Sequence, residues 1–281
     1  MEVFVIIVQM KKLFERYRYS VILLRQLVKT DFKLRYEGSV LGMVWSALKP
    51  LMLFAVMYTV FVHFLRFGGD TPYFATSLLL GISLWSFFSE ATATGMQAIV
   101  QKGDLLRKIN FPRYILVVSA TVNALINLLI NLVVLLIVAL IDGVNFHWHI
   151  LLLPLVILQL YTLSLAVAFL LSALYVKFRD ISHIWEVVMQ AGFYATPIIY
   201  PLSMIIGMAG PKIAKIFIVV NPMAQIIQDA RYLVVYPETE TVWNFIGNFW
   251  IAIIPVVMTF VLVILAAIYF RKNSHKFAEM V

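Results

Sequence analysis

An all-α integral membrane protein with six transmembrane helices is the fold class this sequence predicts. Composition, the spacing of apolar runs and the sidedness of charge carry that prediction. Of 281 residues, 63% are hydrophobic and 13% are charged, and mean hydropathy is +0.94. A soluble domain carries about a quarter charged residues, so composition places the chain in the membrane class. No segment is long and polar enough to fold as a soluble domain. Cysteine is absent, which excludes disulfides and thiolate metal sites.

A helical crossing needs ~20 mostly apolar residues. Val40–Phe64, Tyr73–Val100, Tyr114–Ile141, Ile150–Val176 and Phe245–Phe270 meet that length. Ile184–Ile206 is a sixth, with Pro197 and Pro201 disrupting its outer end. The apolar pieces within Gly207–Asn244 are each about half a span. Charge decides how they are read. Eight Lys/Arg precede Val40, four lie in Gln101–Arg113, two in Lys177–Asp180 and three after Phe270. The alternate connections hold only Arg66, Lys212, Lys215 and Arg231. The positive-inside rule then predicts six spans with both termini cytoplasmic. Residues 197–244 become an external region of re-entrant or interfacial helices, which protein cover makes tolerable.

The opening MEVFVIIVQM lacks a leading basic region and does not read as a cleavable signal peptide. In Tyr19–Tyr36, Leu23, Leu24, Leu27, Val28, Phe32 and Leu34 are placed on one helical face and Arg25, Lys29 and Lys33 on another. This predicts a basic amphipathic helix on the cytoplasmic membrane surface, with Asp31 and Arg35 spaced to pair along it. The organisation expected is a cytoplasmic N-terminus over 1–39, a transmembrane domain over 40–270 and a cytoplasmic tail over 271–281. At the junction, Gly38 relaxes the backbone for a turn and Trp45 sits near head-group level. Lys49 snorkels or faces a polar entrance, and Pro50 is a candidate kink.

The chain contains no Gly-Lys dipeptide and so no phosphate-binding P-loop. Gly-x-Ser-x-Gly, His-Glu-x-x-His and Asp-x-Asp patterns are also absent. His147 and His149 flank Trp148 without a nearby third ligand, so they read as loop histidines. No catalytic site, metal or cofactor is expected on this chain.

Polar groups within spans are costly and point to function. Ser119, Asn123, Asn127 and Asn131 recur every four residues, forming one stripe. It reads either as interhelical hydrogen bonding, at ~0.6–2 kcal/mol per contact, or as a wall of a hydrated pathway. Glu90 must be protonated, paired or facing water. Tyr58, Trp85, Tyr161 and Tyr194 lie deep within spans, either as packing or as stacking surfaces for sugars. The loop QKGDLLRKINFPR predicts a short amphipathic helix. Asp104 is placed as its cap, Leu105, Leu106 and Ile109 as its apolar side, Arg107 and Lys108 as its charges, and Pro112 as its stop. Such a helix can seat in a groove of a cytoplasmic partner; the alternative is a basic loop that only fixes topology.

Taken in order, these features resemble the permease subunit of type-2 ABC exporters of cell-surface polysaccharides, the group serving O-antigens, capsules, rhamnans and teichoic acids. Arg35-Tyr36, Ser39, Leu41-Gly42, Trp45 and Pro50 carry the likeness at the first span, and Leu105-Leu106-Arg107-Lys108 before Phe111-Pro112 carries it at the coupling helix. Tyr200-Pro201, Asn221-Pro222-Met223 and Arg231 carry it in the external region. The resemblance implies a homodimer with two copies of a separate ATPase subunit, which would hold ATP and magnesium. It implies export of a lipid-linked glycan, driven through Gly103–Ile109. Arg35, Tyr36, Trp45 and Lys49 become candidates for a cytoplasmic gate that draws an anionic head group.

Rival readings fit less well. A membrane-embedded enzyme needs clustered carboxylates, whereas Asp70, Asp104, Asp142, Asp180, Asp229, Glu238 and Glu240 are scattered. A secondary transporter favours inverted repeats, which the sequence lacks. An ABC exporter of drugs or small lipids is the nearest alternative.

Overall fold

The computed structural model describes residues 2–42, 44–64, 72–109 and 111–277, excepting the side chains of 2–17, 36, 62, 63 and 276. Arg66, Asp70, the side chain of Tyr36 and tail residues 278–281 therefore lie outside the described residues. All regular structure among those residues is helical.

Helix α1 runs over Glu2–Tyr36, well beyond the amphipathic stretch the sequence suggests. Leu23, Leu24 and Leu27 pack against a buried cluster that includes Phe111, Ile115, Phe270 and Phe277. Arg25, Lys29 and Lys33 are exposed, as is Leu34. Two glycines with left-handed backbone, Gly38 at φ 76° and Gly42 at φ 52°, make the turn that follows. That conformation favours glycine over residues with a Cβ. It delays α2 to Val44–Tyr58, so the first crossing starts four residues later than expected. A π-helical turn over Thr59–Phe64 continues α2.

Helix α3 (Phe74–Gln101) is the hub. Its apolar and small residues face every direction, the pattern of a helix buried on all sides. A Cβ on Gly95 would stand 2.7 Å from the Cβ of Ala168, so glycine admits the neighbouring helix. The short helix α4 (Gly103–Lys108) follows, then α5 (Tyr114–Ile141) and α6 (Leu153–Lys177), the last preceded by a 3-10 turn over Trp148–Leu152. Both α5 and α6 pack on α3. Lys102 is the N-cap of α4, which places Asp104 inside the first turn and corrects its assignment as cap. Helix α4 ends at Lys108, where Ile109 turns extended, before Pro112 is reached.

Helix α7 covers only Ile181–Ala195. At 1.5 Å per residue it is about 22 Å long, short of the ~30 Å hydrocarbon core. Thr196 is extended at φ −108° and ψ 141°, the geometry a following proline imposes. Helix α8 begins after Pro201, over Leu202–Ala209. The sixth apolar run is therefore two helices joined by residues 196–201. Among the described residues, five helical stretches are long and apolar enough to cross a membrane.

The region after α8 holds α9 (Pro211–Val220), α10 (Pro222–Val234), α11 (Val242–Ile246) and α12 (Phe249–Ala252). Asn221 caps α10, accepting from the backbone N–H of Met223 and Ala224. Gly247, left-handed at φ 69°, and the capping Asn248 separate α11 from α12. The last span-length stretch thus starts at Phe249 rather than Phe245, continuing into α13 (Ile254–Asn273). Helix α13 packs along α6.

Candidate functional site

Two cavities meet at the junction of α2, α3 and α7. One, of about 820 Å³, is lined by Arg35, Ser39, Trp45, Ser46, Lys49, Trp85, Ser86, Ser89, Glu90, Thr94, Asn127, Asn131 and Phe193, among others. The second, of about 630 Å³, shares Leu53, Trp85, Ser89, Ala93 and Phe193 with it and extends along α7 to Gln190 and Tyr194.

The larger cavity is organised by a relay of charge. Glu90 on α3 accepts from the Arg35 guanidinium at the end of α1. The same Oε1 accepts from the side-chain amide of Asn127 on α5 at 2.8 Å. Three helices from distant parts of the chain therefore converge on one carboxylate. The local Asp31–Arg35 pair expected along α1 gives way to these tertiary partners, because Asp31 instead pairs with Lys102 just before α4. Helix α1 is thus pinned to the α3 end of the bundle at two points one helical turn apart. Lys49 is exposed and lines the cavity; among the described residues, no acid lies in ion-pair range of it. With Arg35 and Glu90 offsetting each other, the wall carries a net positive charge.

The asparagine stripe splits between two jobs. Asn127 and Asn131 line the cavity. Ser119 bonds the carbonyl of Leu116 at 2.8 Å within its own helix, and Asn123 is buried with its Oδ1 lacking a hydrogen-bond partner among the described residues. Tyr161 meets Thr121 at 3.4 Å and Tyr58 packs on Phe54; neither lines the two cavities. Trp85 stands between both cavities, with Phe193 edge-on at 6.3 Å. Gly192 lets α7 approach it, since a Cβ there would come within 2.8 Å of the indole.

Several residues here were silent in the sequence. Trp185 donates to Thr92 at 3.0 Å, fastening α7 to α3, and Phe193, Ser86 and Ser89 line the walls. A residue that packs and one that lines a cavity share the same apolar run, so no periodicity separates them.

Helix α4 is anchored by buried Gly103 and Leu106, with Leu105 half-buried, and exposes Asp104, Arg107, Lys108 and Ile109. Its outward face is mixed in charge, and Lys102 joins it to Asp31 of α1.

At the opposite end, Arg231 of α10 is buried. Its guanidinium donates to the carbonyls of Pro197 at 2.7 Å, Ile198 at 2.6 Å and Ser77 at 3.4 Å, and to Gln228 at 2.9 Å. The first two of these bonds satisfy carbonyls freed where α7 breaks. Burial lowers the guanidinium pKa to about 10, which leaves it charged at neutral pH. Arg231 is a brace and no longer counts as a solvated loop charge. Asn221 also donates to Thr196 at 3.0 Å, Tyr200 donates to the carbonyl of Tyr194 at 2.9 Å, and Pro201 and Pro222 set the entries to α8 and α10. Asp229 is bonded to Gln225 and Trp243; burial pushes its carboxyl up to about 6.

These features define a multi-pass helical membrane protein with a positively charged polar cavity between its helices. The chain belongs to the ABC-2 type transporter family, whose model matches residues 22–235. Among curated relatives, the O-antigen export system permease protein RfbA of Myxococcus xanthus is 32% identical over 76% of this chain and 80% of its own length. A protein of the same description from Klebsiella pneumoniae is 24% identical over 92% of this chain and 94% of its own.

Proposed function

We propose that this chain is the transmembrane subunit of an exporter that moves a lipid-linked polysaccharide across the bacterial plasma membrane. The names of its relatives favour an O-antigen-type glycan over a teichoic acid, a drug or a small lipid. The observation that carries the reading is the cavity at the α1–α2 junction, where Arg35, Glu90 and Asn127 meet beside Lys49. A cationic, half-enclosed mouth attracts an anionic head group, and Trp85 and Phe193 offer ring faces to sugars.

The chain works as a homodimer with two copies of a cytoplasmic ATPase, on which ATP and magnesium bind. Both termini are cytoplasmic. The α7 segment with residues 196–206 completes a sixth crossing, and α9 to α11 form the external re-entrant region. The exposed side of Gly103–Ile109 seats in the ATPase. Movement there passes through Lys102–Asp31 to α1 and so to Arg35–Glu90, which opens or closes the cavity mouth. Trp45 completes that gate at head-group level.

Co-expression with candidate ATPase subunits tests the assembly; absence of a stable complex with any of them would sink the transport reading. Within that complex, replacing Arg35 and Lys49 together with Gln is expected to abolish export while leaving the complex intact. Unchanged export and unchanged substrate-stimulated ATP hydrolysis would remove the cavity from the mechanism.

A further inference from the structure

A second basic cavity, of about 880 Å³, lies apart from the gate, between the end of α13, the start of α5 and α1. Arg113 enters it from the residue before α5, and Arg271 from the last turns of α13. Ser274, His275 and Tyr114 add hydroxyl and imidazole groups, and the ring of buried Phe270 forms part of its floor. Among the described residues, no acid lines this cavity. Among the described residues, neither guanidinium has an ion-pair partner.

Two guanidiniums lining one cavity from different segments suit a phosphate, which each can grip with two parallel hydrogen bonds. The position selects the source of that phosphate. Ile264, Ile268 and Arg271 follow one another at helical spacing on α13, and both isoleucines are exposed. An apolar stripe thus leads directly to the guanidinium, as an acyl chain leads to its head group. Basic pockets between membrane helices are known head-group sites.

We propose that Arg113 and Arg271 bind the phosphate of an anionic phospholipid, holding α5, α13 and α1 together at this end of the bundle. The inference rests on α5 and α13 being membrane spans, and not on the identity of the exported substrate.

The test is native mass spectrometry of delipidated full-length protein titrated with phosphatidylglycerol, phosphatidylethanolamine, glycerol phosphate or inorganic phosphate. The double variant Arg113→Gln, Arg271→Gln is expected to lose about tenfold to thirtyfold in phosphatidylglycerol affinity, at the strength of one basic residue per site near a membrane. Arg113→Lys, Arg271→Lys is expected to retain most of it. Arg179→Gln, which does not line the cavity and sits over the ring of Tyr175, serves as a control for general charge and should bind as the native chain does. Equal binding by the double Gln variant would overturn the proposal. Displacement of the lipid by millimolar inorganic phosphate would overturn the head-group assignment. Loss of ATPase association with lipid binding intact would assign the cavity to a protein partner and overturn it too.

Discussion

Helices α3 and α2 are both apolar enough to cross a membrane, yet 72% of the span window of α3 is buried, whereas α2 buries only Pro50. Small residues at close helix contacts contribute to the difference. Helix α3 carries Gly81, Ala91, Thr92, Gly95 and Ala98 at its contacts, and small residues let membrane helices approach closely. Helix α2 turns Val44, Trp45, Met52, Leu53 and Val56 outward. Helix α7 resembles α2, with Ile184, Val187, Val188 and Tyr194 exposed and no fully buried residue. The molecule thus has a fixed side, built on α3, α5 and α6, and an open side of α2 and α7 that borders both central cavities. In the proposed dimer, that open side is where the second copy and the substrate belong.

The comparison breaks most severely at the brace of the fixed side. Arg231→Leu strands the carbonyls of Pro197 and Ile198, at roughly 1–3 kcal/mol for each buried group left unpaired. Little monodisperse protein is expected on size-exclusion chromatography, and a near-native yield would contradict the brace. Next comes Gly95→Ala, which forces α3 and α6 apart. A loss of about 1–3 kcal/mol is expected, with partial rescue by Ala168→Gly in a thermal-melt double-mutant cycle; additive losses would show that the two sites do not touch.

Glu90→Gln probes the border between the two sides. The ion pair is partly screened, so about 1 kcal/mol of stability is at stake, whereas export is expected to fall far more than the melting temperature. Proportional losses in both would make Glu90 merely structural. A smaller effect concerns Asp229. Its carboxyl is pushed up to about 6 by burial, so the folded chain holds this proton more tightly than the unfolded chain. Stability should therefore decline as pH rises from about 4 through 6 and level off above. Asp229→Asn should flatten that part of the melting-temperature profile; an unchanged slope assigns it to other groups. The smallest effect belongs to the open side. Val56→Ala should shift stability by no more than about 0.5 kcal/mol, while a cysteine at the same position should cross-link between copies if the dimer forms there.

Several features were plain from the residues because they depend on local rules. The uninterrupted apolar runs foretold α3, α5 and α6 nearly to the residue. Pro197 and Pro201 foretold an irregular outer end after α7, since neither has an N–H to donate. Glu90 was marked for pairing by its cost in an apolar run. Its partners were not legible, because Arg35 and Asn127 lie 55 and 37 residues away. Asp31 shows the limit best. Its spacing from Arg35 satisfied a helical pair, and folding offered each of them a better-placed partner on another segment.

The sequence alone determined that this chain is a helical membrane protein, where most of its crossings run, and that it contains no Gly-Lys dipeptide of the phosphate-loop kind. Those properties follow from transfer free energy and backbone chemistry, which act residue by residue. Only the tertiary structure decided which crossing is central and which is open, that Arg231 seals a broken helix, and that one carboxylate joins three helices beside a cationic cavity. Those outcomes depend on how side chains of particular size and charge meet across distances that no local pattern records.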